Sequence, residues 1–212
     1  MATPVYLEVG KRRVFASAAG WPGWARAGKD EKSALEALAT AAPRYSPVAK
    51  AARIAFVPGG SLDVVERLPG NATTDFGAPG AIAKAESKRL TKKDAGRLSA
   101  LVAASWTVFD RVVENAPATL RKGPRGGGRD RDEIVSHVLD AETMYARKLG
   151  LRLKQPAAGD SAAVREFRNA IVAGLRAGTK GVTEGGWPAR YVARRMAWHV
   201  LDHAWEIEDR AT

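Results

Sequence analysis

Residues 187–210 read WPARYVARRMAWHVLDHAWEIEDR, and this stretch predicts the helix around which the rest of the chain is organised. Its apolar side chains recur with the spacing of one helix face. Pro188 is placed in the first turn, where proline is tolerated because the missing amide would have no intrahelical partner. Two of the three histidines of the chain, His199 and His203, lie one turn apart here. They therefore project from the same face of the helix.

The third histidine, His137, lies in a helical stretch at residues 130–150, DRDEIVSHVLDAETMYARKLG. The inward-facing side chains predicted beside it are Ile134, Ala141, Met144 and Tyr145. An HxxxH pair alone is a weak signal, because most helical histidines are surface or hydrogen-bonded core residues. Three imidazoles on facing helices, however, match the ligand set of catalytic zinc, and imidazole also binds nickel, iron and copper. The sequence therefore predicts a divalent-metal site formed by His137, His199 and His203.

Charged residues flank these histidines. Arg195 is predicted to hold a carboxylate, and Glu206 to act as a catalytic acid or base or as a further ligand. Asp140 and Asp202 are predicted to hydrogen-bond a ligand imidazole and so to select its tautomer. A solvated salt bridge is an equally good interpretation for each of the four.

Residues 1–68 predict a small α+β unit. The predicted strands are Val5–Val9, Arg13–Ala18, Trp24–Gly28 and Ser61–Leu68, of which the first two have the spacing of a hairpin. Two helices are predicted between the last two strands. The first is capped by Asp30 and ends at Pro43, and the second covers Tyr45–Ala52.

Residues 69–90 are predicted to connect this unit to a second one at residues 91–212. The Pro69–Gly80 part, PGNATTDFGAPG, is rich in turn formers and is interpreted as loop. It is either an ordered connection or a flap over a site in the second unit. The second unit is predicted to contain four helices joined by modest loops, which favours a four-helix bundle. The predicted inward stripe of its first helix is Leu98, Leu101, Val102, Ser105, Phe109, Val112 and Val113.

Composition and charge limit the functional classes. The chain has no cysteine, which excludes disulfides and thiolate ligands and fits a reducing compartment. No apolar run approaches the roughly 20 residues that span a bilayer, and the first residues lack the pattern of a secretory signal. We therefore expect a cytoplasmic protein without membrane contact. No GxSxG motif supports a serine hydrolase.

The chain carries 34 Lys and Arg against 23 Asp and Glu, a net charge of +11. Such an excess of positive charge makes nucleic acid, an anionic membrane and acidic small molecules possible partners. The two basic segments, residues 84–97 and 120–131, lack the interleaved aromatic residues of single-strand binders. Nucleic acid is therefore disfavoured. We expect a small-molecule substrate, and homodimer formation is left open.

Two family resemblances extend this interpretation. Residues 15–38, FASAAGWPGWARAGKDEKSALEAL, and the strand order around them resemble HicB-type antitoxin domains, which implies a partial ferredoxin-like fold. No DNA-binding ribbon or helix-turn-helix is found beside it, so repressor activity is not implied. Residues 91–210, with one histidine in the second helix and HxxxH in the last, resemble the DinB/YfiT-like superfamily of metal-binding four-helix bundles.

In that superfamily the three histidines bind a divalent metal, and some members transfer or isomerise with a low-molecular-weight thiol such as mycothiol or bacillithiol. The resemblance implies that His137, His199 and His203 are ligands, with zinc expected first and nickel, iron or manganese as alternatives. The leading hypothesis is a metal-dependent enzyme, with thiol transfer first and hydrolysis second, because a bound metal lowers the pKa of a thiol or water. The alternative is a non-catalytic regulatory or adaptor protein with a structural or vestigial metal.

Overall fold

The computed structural model describes residues 2–57, 59–123, 127–178 and 185–211. The strands in these ranges are β1 (Thr3–Val9), β2 (Val14–Ala18), β3 (Ala25–Gly28) and β4 (Leu62–Pro69). The helices are α1 (Glu31–Thr40), α2 (Ala42–Ala51), α3 (Ala72–Phe76), α4 (Lys92–Asn115), α5 (Arg131–Lys148), α6 (Ser161–Ala177) and α7 (Ala189–Arg210), with a 3-10 helix at Lys84–Ser87. The predicted order, an α+β region followed by a helical region, is confirmed.

The four strands form one mixed sheet in the order β3-β2-β1-β4. β1 and β2 are antiparallel, from Val5 opposite Ala18 to Val9 opposite Val14, so the predicted hairpin is confirmed. β4 lies parallel to β1, because α1 and α2 carry the chain back before β4 begins. Every residue of β2 is buried, which shows that both faces of the sheet are covered at its centre.

The helix starts in the N-terminal region follow from their capping residues. Asp30 caps α1 as predicted, and its side chain accepts a hydrogen bond from the Ser33 amide at 2.7 Å. Pro43 does not stop a helix but lies in the first turn of α2, where proline is tolerated. The second helix therefore begins at Ala42, three residues before the predicted Tyr45.

The Pro69–Gly80 segment is more ordered than a loop. Its centre forms α3, and Asn71 caps this helix by accepting from the amides of Thr73 and Thr74. The Thr74 hydroxyl in turn accepts from the Asn71 amide at 2.8 Å. The interpretation of the whole segment as loop was therefore wrong for these five residues. The Asn-x-x-Thr spacing is the signal that predicts the helix start.

In the helical region, α7 packs on both α4 and α5, and α4 also packs on α6. The buried side chains between these helices include Val102, Phe109, Ile134, Val138, Ile171, Leu175, Val192 and Met196. The stripe predicted on α4 is confirmed at its buried positions, while Val112 and Val113 are only partly buried. α7 begins at Ala189, so Pro188 immediately precedes the first turn.

The sheet region and the helical region share a hydrophobic core. One cluster joins side chains of both regions, among them Leu7, Leu38, Tyr45, Leu101, Val108, Leu201 and Trp205. The two regions approach closely at Gly23, because a Cβ there would lie 2.5 Å from Cδ1 of Leu201. Its φ of +91° is also a conformation that favours glycine. The division at residues 1–68, 69–90 and 91–212 stays a prediction, and the packing across it is continuous.

Within the described ranges, no helix combines the length and the apolar character that crossing a lipid bilayer requires.

Candidate metal centre

The three histidines of the chain meet between α5 and α7. Each offers a ring nitrogen, and these three atoms all lie within 4.8 Å of one another. Nε2 of His199 lies 3.2 Å from Nε2 of His137, and the ring centroids of His199 and His203 are 4.6 Å apart. The structure thus brings together the residues that the sequence predicted as metal ligands.

The nitrogen separation fits a shared divalent ion. Two imidazole nitrogens bound to one tetrahedral zinc at about 2.1 Å lie roughly 3.4 Å from each other. The observed distance between Nε2 of His137 and Nε2 of His199 is 3.2 Å. Three nitrogen donors leave a coordination position open, as in catalytic zinc sites.

His203 is oriented by Glu206. Its Nδ1 lies 2.7 Å from Oε2 of Glu206, and Oε1 of the same carboxylate accepts from Arg210 at 2.5 Å. The hydrogen bond from His203 lowers the pKa of Glu206, so this carboxylate is ionised. A carboxylate on Nδ1 leaves the Nε2 lone pair for a metal. Both oxygens of Glu206 are therefore engaged in positioning, and its catalytic role stays a prediction.

Burial prepares the other two imidazoles for metal binding. It lowers the pKa of His199 to about 2, with the charges of His203 and His137 acting in the same direction. Burial also lowers the pKa of His137. Both rings are thus neutral near pH 7, which is the form that binds a metal. In the described part of the chain Nδ1 of His199 has no hydrogen-bond partner, so no contact there selects its tautomer.

The two aspartates predicted to bond an imidazole have other partners. Oδ1 of Asp140 accepts from Gln155 at 2.7 Å, and Oδ1 of Asp202 accepts from Arg26 at 3.3 Å. A residue three positions on is rotated about 60° around the helix, which takes Asp140 to the exposed side. Among the acidic residues predicted here, the observed carboxylate contact to an imidazole comes from Glu206.

The inner face of α5 differs from its prediction. Ile134 and Tyr145 are buried as expected, whereas Met144 is 38% exposed. The prediction missed the buried positions Val138, Leu139, Glu142, Thr143 and Ala146. Among them Glu142 carries a charged side chain, and it accepts from the Trp106 indole at 2.8 Å. A mid-helix glutamate normally faces solvent, so the available signal was weak. The signal was that Glu142 lies three positions before the buried Tyr145 and therefore shares its face of the helix.

Arg195 lies on the histidine-bearing face of α7 and is buried. Nη1 donates to the carbonyl of Pro79 at 3.0 Å, and Nη2 donates to the Tyr145 hydroxyl at 3.3 Å. The guanidinium carbon lies 5.0 Å from the centre of the Trp198 ring. The Pro79 contact brings the end of the predicted loop or flap against α7, beside the histidines.

Comparison with models of known protein families, with curated proteins and with solved structures found no match. The resemblances to DinB/YfiT-like and HicB-type proteins therefore depend on the residues named above. The geometry itself provides three clustered histidines, one of them oriented by a carboxylate, that are able to hold a metal ion.

Proposed function

We propose that the chain binds one divalent metal ion through His137, His199 and His203, with zinc first and nickel, iron or manganese as alternatives. The observation that carries this proposal is the convergence of the three ring nitrogens within 4.8 Å. The lowered pKa of His199 and the bond from His203 to Glu206 support it, because both favour metal-binding imidazole.

The proposal includes a fold assignment for each region. Helices α4–α7 are assigned to a DinB-like four-helix bundle, supported by the packing of α7 on α4 and α5 and of α4 on α6. The N-terminal region is assigned to a HicB-like unit. This assignment is supported by the chain order of three strands, two helices and a fourth strand, with all four strands in one sheet.

The proposed activity is transfer of a low-molecular-weight thiol, such as mycothiol or bacillithiol, to an electrophilic carbon. His137, His199 and His203 would hold the ion, and its charge would lower the pKa of a bound thiol so that the nucleophile could form near neutral pH. In the transfer a C–S bond forms, the leaving group departs with its electron pair, and the thiol proton passes to solvent. Glu206 orients His203, and the buried surroundings of His137 and His199 keep both rings neutral.

Metal content tests the site. We expect one ion per chain in the wild type and well below one in His199→Ala. Glu208→Ala is the matched control, because Glu208 lies on the same helix and pairs with Arg44. Adding Zn²⁺, Ni²⁺ or Mn²⁺ to the metal-free wild type should raise its unfolding temperature and leave His199→Ala unchanged. A wild type without stoichiometric metal and with an unmoved unfolding temperature overturns the proposal.

Activity tests the reaction separately. Loss of free thiol is followed for mycothiol and bacillithiol with a panel of electrophiles, using metal-loaded wild type and His199→Ala. Metal-dependent loss only in the wild type supports transfer. Bound metal without transfer in any combination favours the non-catalytic regulatory or adaptor protein, and hydrolysis of ester or amide substrates instead favours a hydrolase.

A further inference from the structure

Three arginines in the helical region are buried to nearly the same extent. Arg168 is 7% exposed, Arg194 6% and Arg195 7%. Removing a guanidinium from water is unfavourable unless an anion and hydrogen bonds replace its hydration. The three sites differ in whether they provide that anion.

Arg168 and Arg194 each meet a buried glutamate through the same edge of the guanidinium. Nε and Nη2 of Arg168 donate to Glu142 at 3.1 and 3.0 Å. Nε and Nη2 of Arg194 donate to Glu86 at 2.6 and 3.0 Å. Both are two-bond pairs between a planar fork and a carboxylate, which is the strong geometry for this donor.

The hydrogen-bond partners of Arg195 are neutral groups. Its Nη groups donate to the Pro79 carbonyl and to the Tyr145 hydroxyl, and its Nε has no hydrogen-bond partner in the described ranges. The residues in those ranges also provide no ion pair to this guanidinium. The edge that carries Nε, which meets a carboxylate in both other arginines, thus lacks one here.

We infer that Arg195 binds a carboxylate group of a substrate whose other end reaches the histidine site, an inference that rests on the proposed metal site. Arg195 lies one turn before His199 on the same helix face. The Tyr145 ring, whose hydroxyl Arg195 contacts, is centred 6.1 Å from the His199 ring. A single unpaired positive charge is balanced by one carboxylate rather than by a phosphate dianion.

Tyr145 adds a second donor to this carboxylate subsite. Its phenol oxygen accepts from Arg195, so its own hydrogen remains to donate. The Trp198 ring covers the guanidinium of Arg195, centred 5.0 Å from its carbon, and excludes water from that side.

The test uses cobalt(II) and a series of ω-mercaptocarboxylates of increasing chain length, each compared with the mercaptoalcohol of equal length. The chain has no cysteine, so these thiols form no mixed disulfides with it. Binding is measured from the unfolding temperature with and without cobalt, and from the thiolate-to-cobalt absorption. For at least one length we expect the carboxylate to bind the wild type about tenfold more tightly than the alcohol.

Two variants test whether Arg195 causes the preference for the carboxylate. Arg195→Met should abolish it while retaining one cobalt per chain. Arg190→Met should leave it intact, because Arg190 lies on the same helix but is paired with Asp94 at 2.6 Å. This control removes the same charge from the same helix.

The outcomes separate the inference from the proposed function. Bound cobalt without a carboxylate preference, or with a preference that survives in Arg195→Met, overturns the subsite and leaves the metal site standing. Failure to bind cobalt overturns the proposed function. In that case the carboxylate subsite is tested by the binding series without cobalt, and carboxylate binding that Arg195→Met abolishes supports the subsite. No carboxylate binding in either form overturns the subsite too.

Discussion

Arg168 and Arg195 are equally buried, yet one sits in a closed charge pair and the other faces neutral groups. Arg168 is held between Glu142 and Asp110, with four contacts of 2.9–3.1 Å to their oxygens. Arg195 contacts a carbonyl and a phenol. An ion pair formed within the chain stabilises the fold, whereas a buried guanidinium without an acidic partner is available to bind an anionic ligand. This difference predicts opposite consequences when either site is altered.

The largest effect is expected from opening the closed pair. Glu142→Gln replaces the buried carboxyl group by a neutral amide and leaves Asp110 as the remaining acidic partner of the buried Arg168. We expect a loss of about 3 kcal/mol in the free energy of unfolding, measured by urea denaturation of the metal-free protein. A loss well under 1 kcal/mol would contradict this and indicate that Asp110 alone compensates the charge.

The second effect concerns Glu206, a carboxylate that contacts His203 in the proposed metal site. Glu206→Gln weakens the orientation of His203 and reduces the basicity of its ring. We expect metal affinity to fall 10- to 100-fold, or about 1.4–2.7 kcal/mol, in a competition titration against a chelator. Glu208→Gln on the same helix is the control, and equal affinities of the two variants would remove Glu206 from the site.

The third effect is a pH dependence of the metal-free protein. Burial holds the pKa of His199 at about 2 in the folded state, against an ordinary value of 6.5. Below pH 6.5 the unfolded chain therefore takes up a proton that the folded chain does not. The free energy of unfolding should fall with decreasing pH by about 1.4 kcal/mol per pH unit from this residue.

His199→Gln isolates that contribution from other titrating groups. The variant should lose stability less steeply between pH 6 and pH 4.5 than the wild type, as measured by denaturation at each pH. Equal slopes for the two proteins would show that His199 titrates normally in the fold.

The smallest effect is expected at Arg195. Arg195→Met removes a desolvated charge without breaking an ion pair within the described ranges, and the unbranched side chain retains much of the packing. The free energy of unfolding should change by less than about 1 kcal/mol, or increase. Arg168→Met is the matched comparison and should be clearly destabilising. Similar losses in both variants would erase the distinction between the two arginines.

The histidine cluster could be predicted because it depends on local periodicity. His199 and His203 share a face through helix geometry alone, and the spacing of the apolar residues around His137 defines the buried face of its helix. The Asp30 cap and the first hairpin were likewise predictable from adjacent residues.

The features that were missed depend on partners distant in the chain. Glu142 is buried because Arg168 and Trp106, 26 and 36 positions away, neutralise and bond it. Asp202 turns to Arg26, which lies 176 positions away. The parallel pairing of β4 with β1 is also set by tertiary packing. The spacing of apolar residues along the sequence does not indicate contacts between positions that are far apart in the chain.

The cluster around Leu201 and Trp205 couples the two regions in a further respect. The same side chains are buried against the sheet and within the helices, so neither region can open without exposing apolar surface of the other. Some amides in β1 and β2 exchange their hydrogens only when the whole fold opens. Their exchange rates therefore report the free energy of global unfolding. A metal bound between α5 and α7 should therefore slow hydrogen exchange in those strands, although they hold none of its ligands.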